Sequence, residues 1–216
     1  MLNYHDDFTA NQIEHIAKFL KSSGILAYPS ESVWGLGCDA FDKKAVEQIL
    51  SLKKRSVQKG LIVLTDDIKK IMPLLSDLSH QQQQTLINQI STQQTHLQAT
   101  TWLLPVAKSA SIPKFLTGDF TTLAVRITLH PILKKICHAI TDNQNPYGFL
   151  VSTSCNLQGQ APACNLYQAK QYFSGDKFLD NKANCPICPI AFLDAQSLGF
   201  DKPSQIIDGM TSKQIR

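Results

Sequence analysis

Charge is scarce in this sequence. Only 18% of its 216 residues are Asp, Glu, Lys or Arg, against roughly 25% in average globular chains. No long block of like charge and no proline-rich linker marks a boundary, which excludes a disordered polyelectrolyte. With 43% apolar residues the expectation is one large domain over residues 1–216. Apolar runs approaching ~20 residues are absent, so no membrane span is expected. Met1–Asp7 lacks the basic start and apolar stretch of a signal peptide, and the expected location is the cytoplasm.

Cysteine is sparse as well. Cys38, Cys137, Cys155, Cys164, Cys185 and Cys188 do not make a disulfide framework in a reducing compartment. Cys185-Pro186-Ile187-Cys188 has C-x-x-C spacing, but a structural zinc site needs four ligands and no second suitable pair follows. His138 and Cys164 are related to it by residue type only, so free thiols and no metal site are expected. Common catalytic signatures are missing too: there is no nucleophile elbow, no His-Glu-x-x-His and no G-x-x-x-x-G-K-[ST]. Gly35-x-Gly37 is too short for a dinucleotide fingerprint.

What the sequence does have is concentrated between Gly24 and Leu64. The apolar run Ile25–Tyr28 reads as a buried strand that stops at Pro29. Ser30-Glu31-Ser32 then leads to Gly35-Leu36-Gly37, read as a turn where backbone amides can approach a ligand. Asp42 is placed to cap a helix whose Ala45, Val46, Ile49 and Leu50 face the core. Lys53, Lys54 and Arg55 follow at its C-terminus, Lys59 comes next, and Leu61–Leu64 is a second strand. Cations at a helix end complement its dipole without further purpose as often as they bind a ligand. Beside a glycine turn, the same cluster suits a phosphate. The net charge of +4 is compatible with phosphate ligands and with RNA alike.

Around this stretch the patterns suggest scaffold. Thr9 and Gln12 have capping-box spacing ahead of a helix over about 10–21, and Ser79 and Gln82 repeat that spacing before a Gln-rich helical segment. Thr100–Pro105 reads as a strand. Leu123–Thr128 alternates, with Arg126 the charged exception: such an arginine is exposed, paired with an acid, or turned into a cleft where its planar fork suits a carboxylate. Pro131 opens a helix with an Ile132, Leu133, Ile136, Cys137 and Ile140 stripe. Phe149–Val151 is a strand opening onto Ser152-Thr153-Ser154-Cys155-Asn156. Leu166, Ala169 and Phe173 mark a short helix, and Ser204–Asp208 a closing strand.

The string YPSESVWGLGCDAFD, the K-x-R pair Lys53 and Arg55, and Ser154-Cys155-Asn156 as S-x-N occur in one order. Together they resemble the YrdC-like family of threonylcarbamoyl-AMP synthases over Gly24 to Arg216, in its short form without an extra C-terminal domain. One departure is local: where the family usually carries Trp-Pro-Gly-Pro, this chain reads His96-Leu97-Gln98-Ala99. The resemblance implies an α/β fold (YrdC-like, DHBP synthase-like), a twisted mixed sheet with flanking helices around a concave basic cleft. It implies formation of threonylcarbamoyl-AMP and pyrophosphate from L-threonine, bicarbonate or CO2, and ATP with Mg2+, for threonylcarbamoyladenosine in tRNA. Partner proteins that modify tRNA would accept the adenylate, and tRNA or RNA binding is a further implied property.

By the same resemblance Lys53 and Arg55 are catalytic. Lys53, Arg55, Lys59, Thr122, Ser154, Asn156 and Arg216 would bind ATP, while Ser32, Arg126, Ser152 and Ser204 would bind threonine. Two other readings stand beside this one: a non-catalytic RNA-binding module, and a carbamoyl-adenylating YrdC-like enzyme of the kind found in hydrogenase maturation proteins.

Overall fold

The computed structural model describes residues 7–92, 97–174 and 188–215. Its centre is a nine-stranded mixed sheet. The strands are β1 (Asp7–Thr9), β2 (Ile25–Pro29), β3 (Trp34–Gly37), β4 (Ile62–Thr65), β5 (Thr100–Pro105), β6 (Thr122–Ile127), β7 (Leu150–Ser154), β8 (Ile190–Asp194) and β9 (Gln205–Asp208). Their order across the sheet is β1-β8-β2-β3-β7-β4-β6-β5-β9. Four neighbouring pairs run parallel and four antiparallel. The expected α/β class is what the structure shows.

The strands are apolar on both faces because helices cover both. Helices α1 (Ile13–Lys21) and α5 (Pro131–Ala139) pack together on one face. There Ile16, Leu20, Leu133 and Ile136 meet Leu26, Leu64 and Leu150 of the sheet. On the other face α2 (Lys43–Leu52), α3 (His80–Thr92) and α6 (Leu166–Phe173) bury Val46, Ile49, Leu86 and Phe173 against Ile25, Val63 and Val151. One further turn of helix, α4 (Lys114–Thr117), precedes β6.

Capping follows the sequence closely at two helices. The Asp42 carboxylate accepts the Ala45 N–H at the start of α2, and Ser79 and Gln82 exchange bonds ahead of α3. At α1 the expectation is corrected. Gln12 accepts the Thr9 N–H, but Thr9–Gln12 is itself a turn, closed by Gln12 N–H to the Thr9 carbonyl, so the helix begins at Ile13 instead of residue 10.

A second correction concerns Gly35-Leu36-Gly37, which is strand β3 and not a turn. Tyr28 stands opposite Gly35 in the hairpin of β2 and β3. A Cβ on Gly35 would lie 2.7 Å from the Tyr28 ring, and one on Gly37 would lie 1.8 Å from the Val151 carbonyl oxygen. The glycines therefore make room for an aromatic ring and for β7, which must come this close to join β3.

Ala195–Ser204 joins β8 to β9, second and last in the sheet order. The connection crosses the sheet as a strap, with a left-handed residue at Gly199. It is tied down on the way: Leu198 N–H bonds the Ser30 carbonyl, Phe200 N–H bonds the Glu31 carbonyl, and the His130 ring bonds the Gln196 carbonyl.

Candidate active site

Along β7 alternate side chains Leu150, Ser152 and Ser154 share one face. Leu150 belongs to the core under α1 and α5. Beyond the end of those helices the same face turns to hydroxyls, and there the sheet opens into a cleft of about 310 Å³. Its walls come from the β2–β3 loop (Ser30, Ser32), the start of β4 (Leu61, Ile62), β7 (Ser152, Thr153, Ser154), the end of β6 (Arg126) and the end of the strap (Pro203, Ser204), with Arg55 at the rim. Among the described residues the lining contains two arginines, six hydroxyl side chains and no acid or histidine.

Arg55 reaches the rim because α2 ends in a Schellman turn. Arg55 N–H bonds the Leu50 carbonyl and Lys54 N–H the Ser51 carbonyl, with Lys54 in the left-handed region at φ 45°, where glycine is usual. The reversal sends Lys53 and Arg55 different ways. The Arg55 guanidinium donates to the Gly60 carbonyl at 2.8 Å, just before β4. Lys53 turns to the far side of Ser154: its ammonium donates to the Ser154 carbonyl at 2.7 Å, the Asn156 carbonyl and the Asn156 side-chain oxygen. Those three acceptors match the three N–H donors of an ammonium. Ser154 Oγ donates to the same Asn156 oxygen at 2.7 Å, so S-x-N and Lys53 form one hydrogen-bonded turn. Burial pulls the Lys53 ammonium down to about 8, opposed by the nearby Cys155 thiol and reinforced by Arg55.

Arg126 lies at the other end of the cleft and is 8% exposed. Its Nε donates to Thr101 Oγ1 at 3.2 Å, Nη1 to Glu31 Oε2 at 3.1 Å and Nη2 to Ser204 Oγ at 2.7 Å. Glu31 is 1% exposed and also accepts Thr128 Oγ1 at 2.7 Å and Leu129 N–H at 3.0 Å. Burial alone would raise its carboxyl, but Arg126, Thr128 and backbone N–H groups outweigh that and hold it below the usual range. The pairing and cleft alternatives for Arg126 are thus both realised. Glu31 is the residue that sequence reasoning missed, although Arg126 had signalled that an acid partner was possible.

Of the expected site residues, the structure gathers Ser32, Arg55, Arg126, Ser152, Ser154 and Ser204 around the cleft. Lys53 and Asn156 stand behind Ser154. Lys59 is exposed on a 3-10 turn, and Thr122 begins β6, level with Gly60 when the Ile62–Ala124 register is extended; neither is on the lining. Arg216, Cys185 and His96 lie outside the described residues. Cys188 is buried, its backbone held on both sides by the Gln48 amide. Leu97 and Gln98, in place of the usual Trp-Pro-Gly-Pro, reach the strap through Gln98 Nε2 to the Pro203 carbonyl at 2.7 Å.

Backbone geometry sets the scale between the two arginines. Arg55 is tied to Gly60 and Arg126 pairs in register with Leu64, so their anchors lie about 13 Å apart along the strands. Arginine side chains can bridge that span to opposite ends of one extended, doubly anionic ligand.

A family model described as "Telomere recombination" (Sua5/YciO/YrdC) matches residues 18–215. The threonylcarbamoyl-AMP synthase of Moraxella catarrhalis (strain BBH18) is 47% identical over 212 residues, covering 97% of this chain and 97% of that protein. The enzyme of the same description from Psychrobacter cryohalolentis is 43% identical over 205 residues, 93% of each chain. The crystal structure of P. abyssi Sua5 complexed with L-threonine shares the fold at TM-score 0.73 and 20% identity, covering 94% of this chain and 54% of that longer one. In sequence over nearly its whole length and in fold, the chain belongs to the Sua5/YciO/YrdC family.

Proposed function

We propose that the protein is a threonylcarbamoyl-AMP synthase, forming L-threonylcarbamoyl-AMP and pyrophosphate from L-threonine, bicarbonate or CO2, and ATP. The observation that carries this reading is the cleft lining: two guanidiniums at opposite ends, hydroxyls between them, and no acid or histidine on its surface among the described residues. Such a site offers no general base or protein nucleophile of its own. The reaction needs neither, because the free threonine amine adds to CO2 and loses a proton to solvent water, giving a carbamate. A carbamate oxygen then forms the new bond to the α-phosphorus, and the bond from that phosphorus to the pyrophosphate oxygen breaks.

The chain's contribution is placement and charge. Arg126 has five N–H donors, of which three are engaged. One N–H on each terminal nitrogen remains for the threonine carboxylate. Ser32, Ser152 and Ser204 surround that end. Arg55 supplies positive charge where pyrophosphate departs, Lys53 adds charge from behind the Ser154-x-Asn156 turn, and the Ser154 hydroxyl faces the nucleotide. Lys59, Thr122 and Arg216 complete the proposed ATP contacts.

Among the described residues no group of three or more His, Cys, Asp or Glu converges. The cleft's own oxygens are hydroxyls, which fit a hydrated Mg2+ already carried by ATP better than a resident ion. Bound there, Mg2+ would neutralise phosphate charge. No helix among the described residues is long and apolar enough to cross a membrane, and we place the protein in the cytoplasm, handing its adenylate to proteins that modify tRNA.

The deciding experiment is pyrophosphate release from ATP and Mg2+, with threonine and bicarbonate supplied together, singly or not at all. Release is expected only with both. Release that survives removal of bicarbonate, or that carbamoyl phosphate supports in place of threonine, would refute the assignment; the latter would favour the carbamoyl-adenylating alternative.

A further inference from the structure

We propose that Glu31 is a positioning residue, which fixes the Arg126 guanidinium in the orientation that receives the substrate carboxylate. The inference rests on the function proposed above and extends it to a residue that does not line the cleft. Ser30 and Ser32 on either side of Glu31 do line it. The Glu31 side chain turns inward instead and spends both carboxylate oxygens on protein donors: Oε2 on Arg126, Oε1 on Thr128 and the Leu129 backbone. Three partners on three segments hold the guanidinium plane: Thr101 on β5, Glu31 on the β2–β3 loop and Ser204 where the strap meets β9. Glu31 also accepts Phe200 N–H of the strap through its own carbonyl. One residue therefore joins Arg126 to the segment that delivers Ser204.

Electrostatics alone makes the opposite prediction, which is why the idea can be tested by sign. A carboxylate 3.1 Å from the guanidinium offsets its charge and repels an arriving carboxylate, so removing it should tighten threonine binding. Positioning predicts the reverse. In Glu31→Gln one oxygen becomes an NH2 group, which faces donors from Arg126 or from Thr128 and Leu129 and cannot accept from them. The fork is then freed to rotate and must be ordered again by each substrate.

The experiment is steady-state pyrophosphate release by wild type, Glu31→Gln, Arg126→Lys and the double variant, with folding checked by thermal denaturation. Glu31→Gln should raise KM for threonine about tenfold, the change expected on losing one charge-assisted contact, and leave KM for ATP within about twofold. On the Arg126→Lys background it should add little, because the fork it positions is already gone. A threonine KM that is unchanged or lower, equal rises for both substrates, or full additivity with Arg126→Lys would each overturn the proposal. If Glu31→Gln does not fold, Thr128→Val removes one bond to Oε1, along with the bond that Thr128 Oγ1 accepts from His130 N–H at 3.2 Å, and keeps both charges. It should raise threonine KM about threefold, a fraction of one hydrogen bond's worth, and no change would count against Glu31. Wild-type protein without threonine-dependent release would instead sink the reaction itself.

Discussion

Lys53 holds its charge where all three of its N–H groups are spent on oxygens of a single turn. A polyphosphate arriving on the other side of Ser154 brings negative charge that favours the protonated form of an ammonium lowered to about 8. ATP binding at pH 8.5 should therefore take up protons, and affinity should fall as pH rises further through the alkaline range. Calorimetry in two buffers of different ionisation heat reads the uptake directly. Lys53→Arg, charged at every accessible pH, should abolish it; equal uptake in that variant would defeat the idea. Stability moves the other way. Between about 8 and the usual lysine range the unfolded chain binds more protons at this position, so the folded state gains from it as pH rises. The sequence marked the basic cluster as a candidate anion site, and of its members Arg55 reaches the cleft lining, Lys53 stands behind Ser154 and Lys59 stays off the lining. Glu31 was not legible. It sits among hydroxyl residues that read as a turn, and nothing in a linear pattern ties position 31 to position 126.

Among the elements, helices with side-chain caps and apolar stripes were the readable ones, because both signals are local. Asp42 with Val46 and Ile49, and Ser79 with Leu86 and Ile90, placed α2 and α3 correctly. Strand β3 was misread because glycine is depleted in strands, and the reason for its two glycines lies on Tyr28 and Val151, distant in sequence or on the facing strand. That reason has a measurable cost. Gly37→Ala sets a methyl group 1.8 Å from the Val151 carbonyl oxygen, a backbone atom that also accepts the Tyr28 hydroxyl. Overpacking against an immobile neighbour should destabilise by about 3 kcal/mol or more. Chemical denaturation would show it, and a loss under about 1 kcal/mol would mean that β3 and β7 separate more easily than their contacts imply. Strands β1 and β8 were also missed: β1 has three residues, and β8 is a short apolar run without alternation, which periodicity cannot tell from buried helix.

At the scale of the molecule, the fold class followed from the family resemblance of the motifs, whereas the strand order was not readable, since β8 and β9 are neighbours in sequence and stand seven places apart in the sheet. The strap between them has a consequence for how the protein assembles. Hairpin β2–β3 and the pair β5–β6 close over short to moderate distances, but the strap can lie down only once the strands it crosses are in place. Its ties to Ser30, Glu31 and Arg126 are then the last to form, and the Arg126 end of the cleft, where we propose that threonine binds, is the last part completed. Trp34 and Trp102 are both buried in the core, so their fluorescence follows the sheet during refolding from denaturant. Threonine-dependent pyrophosphate release should lag behind that signal, and the two returning at one rate would argue against late docking. A chain of this size has room for such a populated intermediate. During synthesis the same order would leave a nearly complete sheet in which Arg126 still lacks its Ser204 partner, so the enzyme would switch itself on with the docking of its final strand.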